Sequence, residues 1–383
     1  MLDNDLYKFT MQQAVYSLYP DALTEYELTN RGDTLFPKGF AKILGEKIEE
    51  MAEMALTPEE LAWLEKTCPY FTSDYLAYLS SYRYDPDQVL LTQKQGQLDV
   101  KIKGPWSDTI LWEVPLMALI CETYFAMTAP ETLSRKAIRE RNQDKAKKLA
   151  DAGVFFVDFG TRRRYSATNH DHLIADILSF DGHTLAGTSN VHLAYKYNIL
   201  PIGTLAHEWV MFHSALNDYT FANASAMDAW TKVYPEVLGI ALTDTFTTDL
   251  FLKAFNRKRA GQFTGVRQDS GDPIEFTRKL VRHYKDKGIE PSSKSIVFSD
   301  GLDPDKAIEI HKFCKGKVKD AYGIGTNLTN DVGATPLNIV IKLSRTKPKE
   351  GQPWKSTVKL SDDPGKHTGN KAELSNCLKI LGL

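Results

Sequence analysis

One pattern recurs through the middle of the chain: a short run rich in Val, Ile or Phe, then small or charged polar residues, then a stretch with helical spacing of apolar positions. That alternation predicts βα units on a parallel sheet. Seven segments follow it. They are Val154 to Val157 before DFGTRRR, Thr184 to Ala186 before GTSN, Ile199 to Ile202 before GTLAHEW, and Ile240 to Leu242 before TDTFTTD. The series ends with Phe263 to Val266 before RQDSGDP, Ile296 to Phe298 before SDGLDPD, and Ala321 to Ile324 before GTNLTND. Gly-Thr marks the junctions at Gly160, Gly187, Gly203 and Gly325. Glycine there lets the backbone approach a ligand, and threonine can cap the next helix. Between junctions the spacing predicts helices; in Pro273 to Lys287, proline opens the helix, Ile274, Thr277, Leu280, Val281 and Tyr284 form an apolar stripe, and Gly288 ends it. Polar residues at every junction fit a closed or nearly closed barrel better than a doubly wound sheet, whose chemistry gathers at one switch point. Pattern alone leaves both architectures open.

The flanks read differently. Glu131 to Ala150 is strongly charged and helix-forming, an exposed helix leading into the βα series. Leu23 to Thr29 alternates like a strand, and Val89 to Gln93 and Leu98 to Lys103 flank Gln95-Gly96 as a hairpin. Thr57 to Lys66 and Ser73 to Tyr82 have helical spacing, which makes the start of the chain an α+β unit. After Asn330 strands return, at Leu337 to Leu343 and Thr357 to Leu360. The expected division is an α+β domain over 1–125, an α/β barrel over 126–335, and a tail over 336–383 that folds back onto the first domain.

With 383 residues the chain can bury a large core. Lysine and arginine number 47 against 49 acidic residues, a net charge of -2, so there is no global field for nucleic acid and any anion must be held by local arginines. Cys68, Cys121, Cys314 and Cys377 are scattered, which argues against both a disulfide framework and a thiolate metal site. Met1 to Thr10 carries Asp3, Asn4 and Asp5 in place of a secretory leader, and no uninterrupted apolar run is long enough to span a bilayer. The expectation is a cytoplasmic protein with no membrane and no nucleic-acid partner.

Candidate chemistry lies at the junctions. In GTLAHEW, His207 falls where a buried strand turns into a helix. Helix-start N–H groups disfavour a protonated imidazole, leaving a neutral ring able to attack phosphorus or pass a proton. Taken alone, such a histidine is more often a hydrogen-bonded structural residue. Arg162, Arg163 and Arg164 beside a glycine turn suit phosphate, or form a solvated charge run; spacing does not decide. Arg267 can clamp a carboxylate or phosphate, and Asp269 and Asp272 can hold sugar hydroxyls or Mg²⁺. Asp272 reads equally well as an N-cap before Pro273, and Asp300 and Asp303 invite the same pair of readings. No Walker A sequence occurs, and Gly323-Ile324-Gly325 lacks the third glycine of a dinucleotide fingerprint. His170 and His172 are two apart on a helical stretch, hence on different faces and expected to be solvated rather than a metal pair. Tyr7 and Tyr16, in Leu6 to Tyr19, read first as packing and second as ring-stacking residues.

Assembled, these stretches closely resemble the nicotinate phosphoribosyltransferase family of the bacterial and fungal type, over nearly the whole chain. They are LDNDLYKFTMQQAV, YELTNR, DFGTRRR, GTSN, GTLAHEW, TDTFTTD, GVRQDSGDP, SDGLDPD, IGTNLTND and KLSDDPGK. The resemblance implies an NAD-salvage enzyme joining nicotinate to 5-phosphoribosyl 1-diphosphate, giving nicotinate mononucleotide and diphosphate. It implies ATP hydrolysis through a phosphohistidine and Mg²⁺ on the diphosphate. The implied fold is an irregular, incomplete α/β barrel of about seven strands with a second α+β domain built from both chain ends. By the same resemblance His207 is the phosphohistidine, Thr204 contacts nicotinate, and Arg267 meets its carboxylate or the phosphoribosyl group. Phe159 and Tyr7 resemble an aromatic pair around the pyridine, with Tyr7 donated by the second subunit of a homodimer, which reverses its packing interpretation. Arg162 and Arg31 match basic positions around phosphate, Gly325 and Thr326 a loop holding the 5′-phosphate, and Asp269 and Asp300 ribose or Mg²⁺ contacts. Displacement of diphosphate by the pyridine nitrogen passes through an oxocarbenium-like state, so positioning and leaving-group stabilisation dominate. Two rivals remain: a sister enzyme acting on nicotinamide or quinolinate, and a non-catalytic protein that binds a pyridine nucleotide. AHEW points to the nicotinate enzyme, and the presence of His207 and Arg267 speaks against binding alone.

Overall fold

Two sheets organise the chain. The structure, a computed structural model, describes residues 1–180 and 182–383. The first sheet is antiparallel and built from β1 (Leu23–Asn30), β2 (Val89–Lys94), β3 (Gln97–Pro105), β10 (Ile339–Lys347) and β11 (Lys355–Ser356), in the order β11-β10-β1-β3-β2. β10 comes from the far end of the chain yet pairs with β1 from Leu23↔Lys347 to Asn30↔Ile339, so both ends of the sequence build one sheet. The hairpin between β2 and β3 turns at Gln95 and Gly96, both at positive φ (50° and 81°), which matches the twist of the flanking strands. Along β3 burial alternates, with Leu98, Val100 and Ile102 inside.

The second sheet is parallel. Its strands are β4 (Phe156–Asp158), β5 (Leu185–Thr188), β6 (Ile240–Leu242), β7 (Gly265–Gln268), β8 (Ser295–Phe298) and β9 (Lys319–Ile324), in the order β5-β4-β9-β8-β7-β6. The fold is therefore mixed α/β, one parallel and one antiparallel sheet. Ile199 to Ile202 departs from expectation: its only strand-like pairing among the described residues is an isolated parallel bridge, Thr188↔Pro201. Pro201 has no N–H to offer a second neighbour. Backbone bonds tie the segment to β5, Thr188 N to Leu200 O at 3.1 Å and Ile202 N to Thr188 O at 2.8 Å. Toward β6 the contact is a side-chain one, Thr204 Oγ1 donating to Ile240 O at 3.2 Å. Thr357 to Leu360 also differs, because Leu360 N binds Thr245 O at 2.8 Å and draws this stretch across to the parallel sheet's loops.

Helices place the rest. The helix Leu6–Leu18 buries its first ten residues and starts against the end of β5, with Leu6 N on Ser189 O at 2.7 Å. The charged helix Arg135–Asp151 is capped by Ser134 and buries only Asn142, Ala146 and Leu149 among its residues. Trp106–Thr128, 23 residues, is long and apolar enough by length and composition to cross a membrane, although Asp108, Glu113 and Glu122 interrupt it. Within the fold 72% of that window is buried, as befits a core helix.

Candidate active site

A cavity of about 890 Å³ opens at the carboxyl ends of the parallel strands and is closed on its far side by β10 and residues 359–369. Strand ends supply the reactive groups, because there the backbone leaves the sheet and side chains converge. His207 is the first residue of the helix His207–Asn217 and is almost wholly buried. Its Nε2 lies 2.9 Å from Asp269 Oδ2, and its Nδ1 lies 3.0 Å from Thr245 Oγ1. With Nε2–H donated to the carboxylate, the ring's lone pair rests on Nδ1. Burial, then the nearby Lys359 ammonium, disfavour protonation and outweigh Asp244 and Asp269, lowering the imidazole pKa to about 4.

Asp269 is held from both sides. Arg267 Nη2 donates to Oδ1 at 2.8 Å and Ser299 Oγ at 2.7 Å, while the opposite oxygen faces His207. Burial opposes its negative charge, but Arg267 and then His207 win and keep the carboxyl well below the usual range. Arg267 also donates Nε to Ser299 Oγ at 2.8 Å and stands 6.0 Å from the centre of the Phe159 ring. One guanidinium thus links the acid beside His207 to an aromatic wall.

Tyr7, Thr204 and Arg162 line the same cavity. Tyr7 does so within the chain that carries it, where Gly203 packs so tightly on it that an added Cβ would stand 2.8 Å from Tyr7 N. The anchoring of the first helix to β5 folds Tyr7 inward. Arg31, just past β1 with its N–H on Asn338 O at 2.8 Å, likewise lines the cavity of the chain that carries it. Asp300 lines it too, paired with Lys366. Gly325 and Thr326 are not among its lining residues; Gly325 stands behind Phe159, whose carbonyl oxygen would lie 3.1 Å from an added Cβ, and Thr326 opens a four-residue helix.

The bland alternatives hold at several positions. Asp272 caps a helix by accepting from Ile274 N and Glu275 N, each at 2.8 Å, and Asp303 caps another through Lys306 N at 2.9 Å. Of the arginine run, Arg162 and Arg163 reach the cavity, while Arg164 turns away to Asp3 at 2.7 Å and Glu122 at 2.8 Å. His170 is not solvated: it is fully buried, its Nε2 2.6 Å from Asp158 Oδ2, because its face of the helix Ala167–Leu178 packs on the sheet.

Asp244, Thr245, Ser299, Lys342 and Lys359 escaped the sequence reading as individuals, although TDTFTTD, SDGLDPD and KLSDDPGK contain four of them. Asp244 is fully buried, accepts from Ser270 Oγ at 2.6 Å and faces Lys359 at 3.6 Å. Its Oδ1 has no hydrogen-bond partner among the described residues. His207, Asp244 and Asp269 bring ligand atoms within 4.8 Å of one another. That orphaned oxygen and the carboxylate of Asp269 are oxygen donors of the kind that fit a hard cation such as Mg²⁺. Lys342 projects from β10; burial first, then Arg162 and Lys359, lower its pKa to about 8 against the pull of Glu113. Basic side chains from both sheets therefore surround the neutral histidine, an arrangement suited to a multiply charged phosphate ligand.

Known proteins match the chain in sequence and in fold. The family model described as the nicotinate phosphoribosyltransferase (NAPRTase) family matches residues 154–380, and that of its N-terminal domain matches residues 2–121. A nicotinate phosphoribosyltransferase of Desulforapulum autotrophicum is 55% identical over 381 residues, covering 100% of this chain and 98% of the relative. One of Chromohalobacter salexigens is 46% identical, again covering 100% and 98%. The crystal structure of nicotinate phosphoribosyltransferase from Porphyromonas gingivalis superposes with a TM-score of 0.97 at 41% identity, covering 100% of this chain and 99% of that one. A yeast structure titled as a putative nicotinate phosphoribosyltransferase gives 0.93 at 37% identity, covering 100% and 97%. Matched by family models over both its parts and by relatives over its whole length, the chain belongs to the nicotinate phosphoribosyltransferase family.

Proposed function

We propose that the cavity joins nicotinate to 5-phosphoribosyl 1-diphosphate, forming nicotinate mononucleotide and diphosphate, with ATP hydrolysis coupled through phosphorylation of His207. The observation that carries this reading is the buried, neutral His207 imidazole, oriented by Asp269 and Thr245 in a cavity ringed by Arg and Lys. The ring nitrogen takes the γ-phosphoryl group of ATP and ADP leaves; water later cleaves the N–P bond, releasing phosphate and restoring the ring. In transfer, the pyridine nitrogen forms a bond to ribose C1 as the C1–O bond to diphosphate breaks. Phe159 and Tyr7 flank the pyridine, Thr204 and Arg267 orient its carboxylate, and Arg31, Arg162, Lys342 and Lys359 meet phosphate oxygens. Asp269 and Asp300 serve ribose hydroxyls or, with Asp244, the Mg²⁺ that accompanies diphosphate. That ion, when bound, neutralises leaving-group charge. Gly325 and Thr326 support the 5′-phosphate from behind Phe159.

The same reading takes residues 199–204 as the seventh member of an incomplete barrel, bridging β5 and β6, with domain limits near 125 and 335. It places the enzyme in the cytoplasm, which suits four free, buried cysteines. An assay of product formation with nicotinate, nicotinamide and quinolinate, each with and without ATP, tests the proposal. Nicotinate should give product and ATP should stimulate it, and His207→Ala should lose the phosphoenzyme while retaining slow ATP-independent transfer. Arg267→Ala should weaken nicotinate binding by more than about 1.5 kcal/mol, the loss of a charge-assisted partner. Labelled phosphate on His207→Ala at the unaltered level, or faster turnover of nicotinamide, overturns it.

A further inference from the structure

Behind the cavity wall, and reaching it through Glu113 and Glu208, lies a set of buried charges with no place in the chemistry above. Lys8 is 0% exposed. Its ammonium pairs with Glu113 Oε2 at 2.6 Å and with Glu208. Glu208 also accepts from Tyr26 OH at 2.8 Å and Trp106 Nε1 at 3.1 Å, so its carboxylate is fully engaged. Glu113 reaches upward, its other oxygen 3.5 Å from Arg162 and 4.0 Å from Lys342 in the cavity wall. Burial disfavours the Lys8 ammonium, but the Glu113 and Glu208 carboxylates outweigh it and push its pKa up. The ammonium also stands 5.7 Å from the ring centre of Tyr7, its neighbour in sequence.

A buried ion pair is a poor source of stability, because desolvating the charges offsets most of their attraction and an apolar group of the same size would pack as well. What it does supply is a fixed geometry. Lys8 belongs to the first helix, Glu113 begins the stretch Glu113–Thr128 of the core helix, and Glu208 is the second residue of the helix that His207 begins. The three helices meet at one ammonium. An anion entering beside Arg162 competes with Glu113 for that guanidinium, and what Glu113 releases is felt by Lys8 and hence by Glu208.

We propose that Lys8 is a positioning residue that couples the two halves of the site, setting Arg162 through Glu113 and the first turn bearing His207 through Glu208. This rests on the function proposed above. The test replaces Lys8 by Met, of similar length without charge, and by Arg, which keeps the charge; Lys8→Met combined with Glu208→Gln removes one cation and one anion together, so that the remaining buried charge balances. Thermal melting reports folding, and parallel assays report ATP hydrolysed per nicotinate mononucleotide formed and the rate without ATP.

Lys8→Met and the double variant should raise the ATP-to-product ratio at least about fivefold, the low end of ordinary coupling between sites, with the ATP-free rate falling less than the ATP-coupled rate. Lys8→Arg should restore much of the ratio. A ratio unchanged in the folded double variant overturns the proposal. So does an equal loss of ATP-free and ATP-coupled rates in every variant, which marks a merely structural lysine. Failure of the functional reading would look different: the unaltered protein would then show no ATP-coupled product with nicotinate.

Discussion

His207 owes its expected reactivity to its surroundings. A free imidazole is half protonated near 6.5, whereas burial beside Lys359 lowers this one to about 4. We therefore predict that NMR of the His207 ring shows a midpoint near 4, and that phosphoenzyme formation does not fall off as pH drops from 7.5 to about 5. The same shift bears on stability. The unfolded chain takes up the proton around 6.5 and the folded chain only around 4, so stability is full above 6.5 and is lost as pH falls through that window. His213, lowered to about 4 by burial, acts in the same direction. In urea titrations at pH 7.5 and 5, His207→Asn should lose less stability between the two than the unaltered protein. A His207 midpoint at 6.5 or above would end the argument. The histidine was legible in GTLAHEW, because an ionisable group at a strand-to-helix junction stands out. Its partners were not: Asp269 lies 62 positions away and Thr245 lies 38, and only folding shows that they meet one ring.

Among the elements, apolar runs followed by polar junctions foretold the parallel strands because most of these runs are packed inside while the carboxyl ends of several, such as Asp269 after β7 and Ser299 after β8, face the cavity. The rule failed at Ile199 to Ile202, where composition is strand-like but Pro201 cannot pair on both sides. It failed again at Thr357 to Leu360, where a long-range bond to Thr245 rather than local pattern decides the path. Close backbone approaches were visible as glycines without their reasons. Gly323 in β9 is one such case: an added Cβ would stand 2.2 Å from Cδ2 of Phe159 and 3.0 Å from its Cγ. The rigid ring cannot fold aside as a flexible side chain would. Gly323→Ala should therefore cost about 1–3 kcal/mol of stability by overpacking and raise KM for nicotinate as the ring is displaced. Denaturant titration with steady-state kinetics checks both; unchanged KM would remove Phe159 from the pyridine wall.

At the scale of the whole molecule, the chain folds its two ends together so that both contribute to the cavity wall. β10 pairs along the full length of β1 and contributes Lys342, and the first helix is fastened to the parallel sheet by Leu6 N on Ser189 O at 2.7 Å and Ser189 Oγ on Asp5 at 2.7 Å. Arg164 adds a third tie, to Asp3 at 2.7 Å. These bonds hold Tyr7 against Gly203. The family resemblance implies a site shared between the subunits of a homodimer, and within one chain Tyr7 and Arg31 already line the cavity. Mixing two inactive variants separates the cases. One chain carries Tyr7→Ala with Arg31→Ala, the other His207→Ala. If each cavity takes all its residues from one chain, no mixture regains ATP-coupled synthesis, because every site keeps at least one lesion even after subunits exchange. If Tyr7 and Arg31 crossed to a neighbour, half of the sites in each mixed dimer would be intact and activity would return on mixing. Recovery of coupled synthesis, measured after exchange has been demonstrated with differently tagged chains, would establish the shared site, and its absence would show that a single chain completes each cavity.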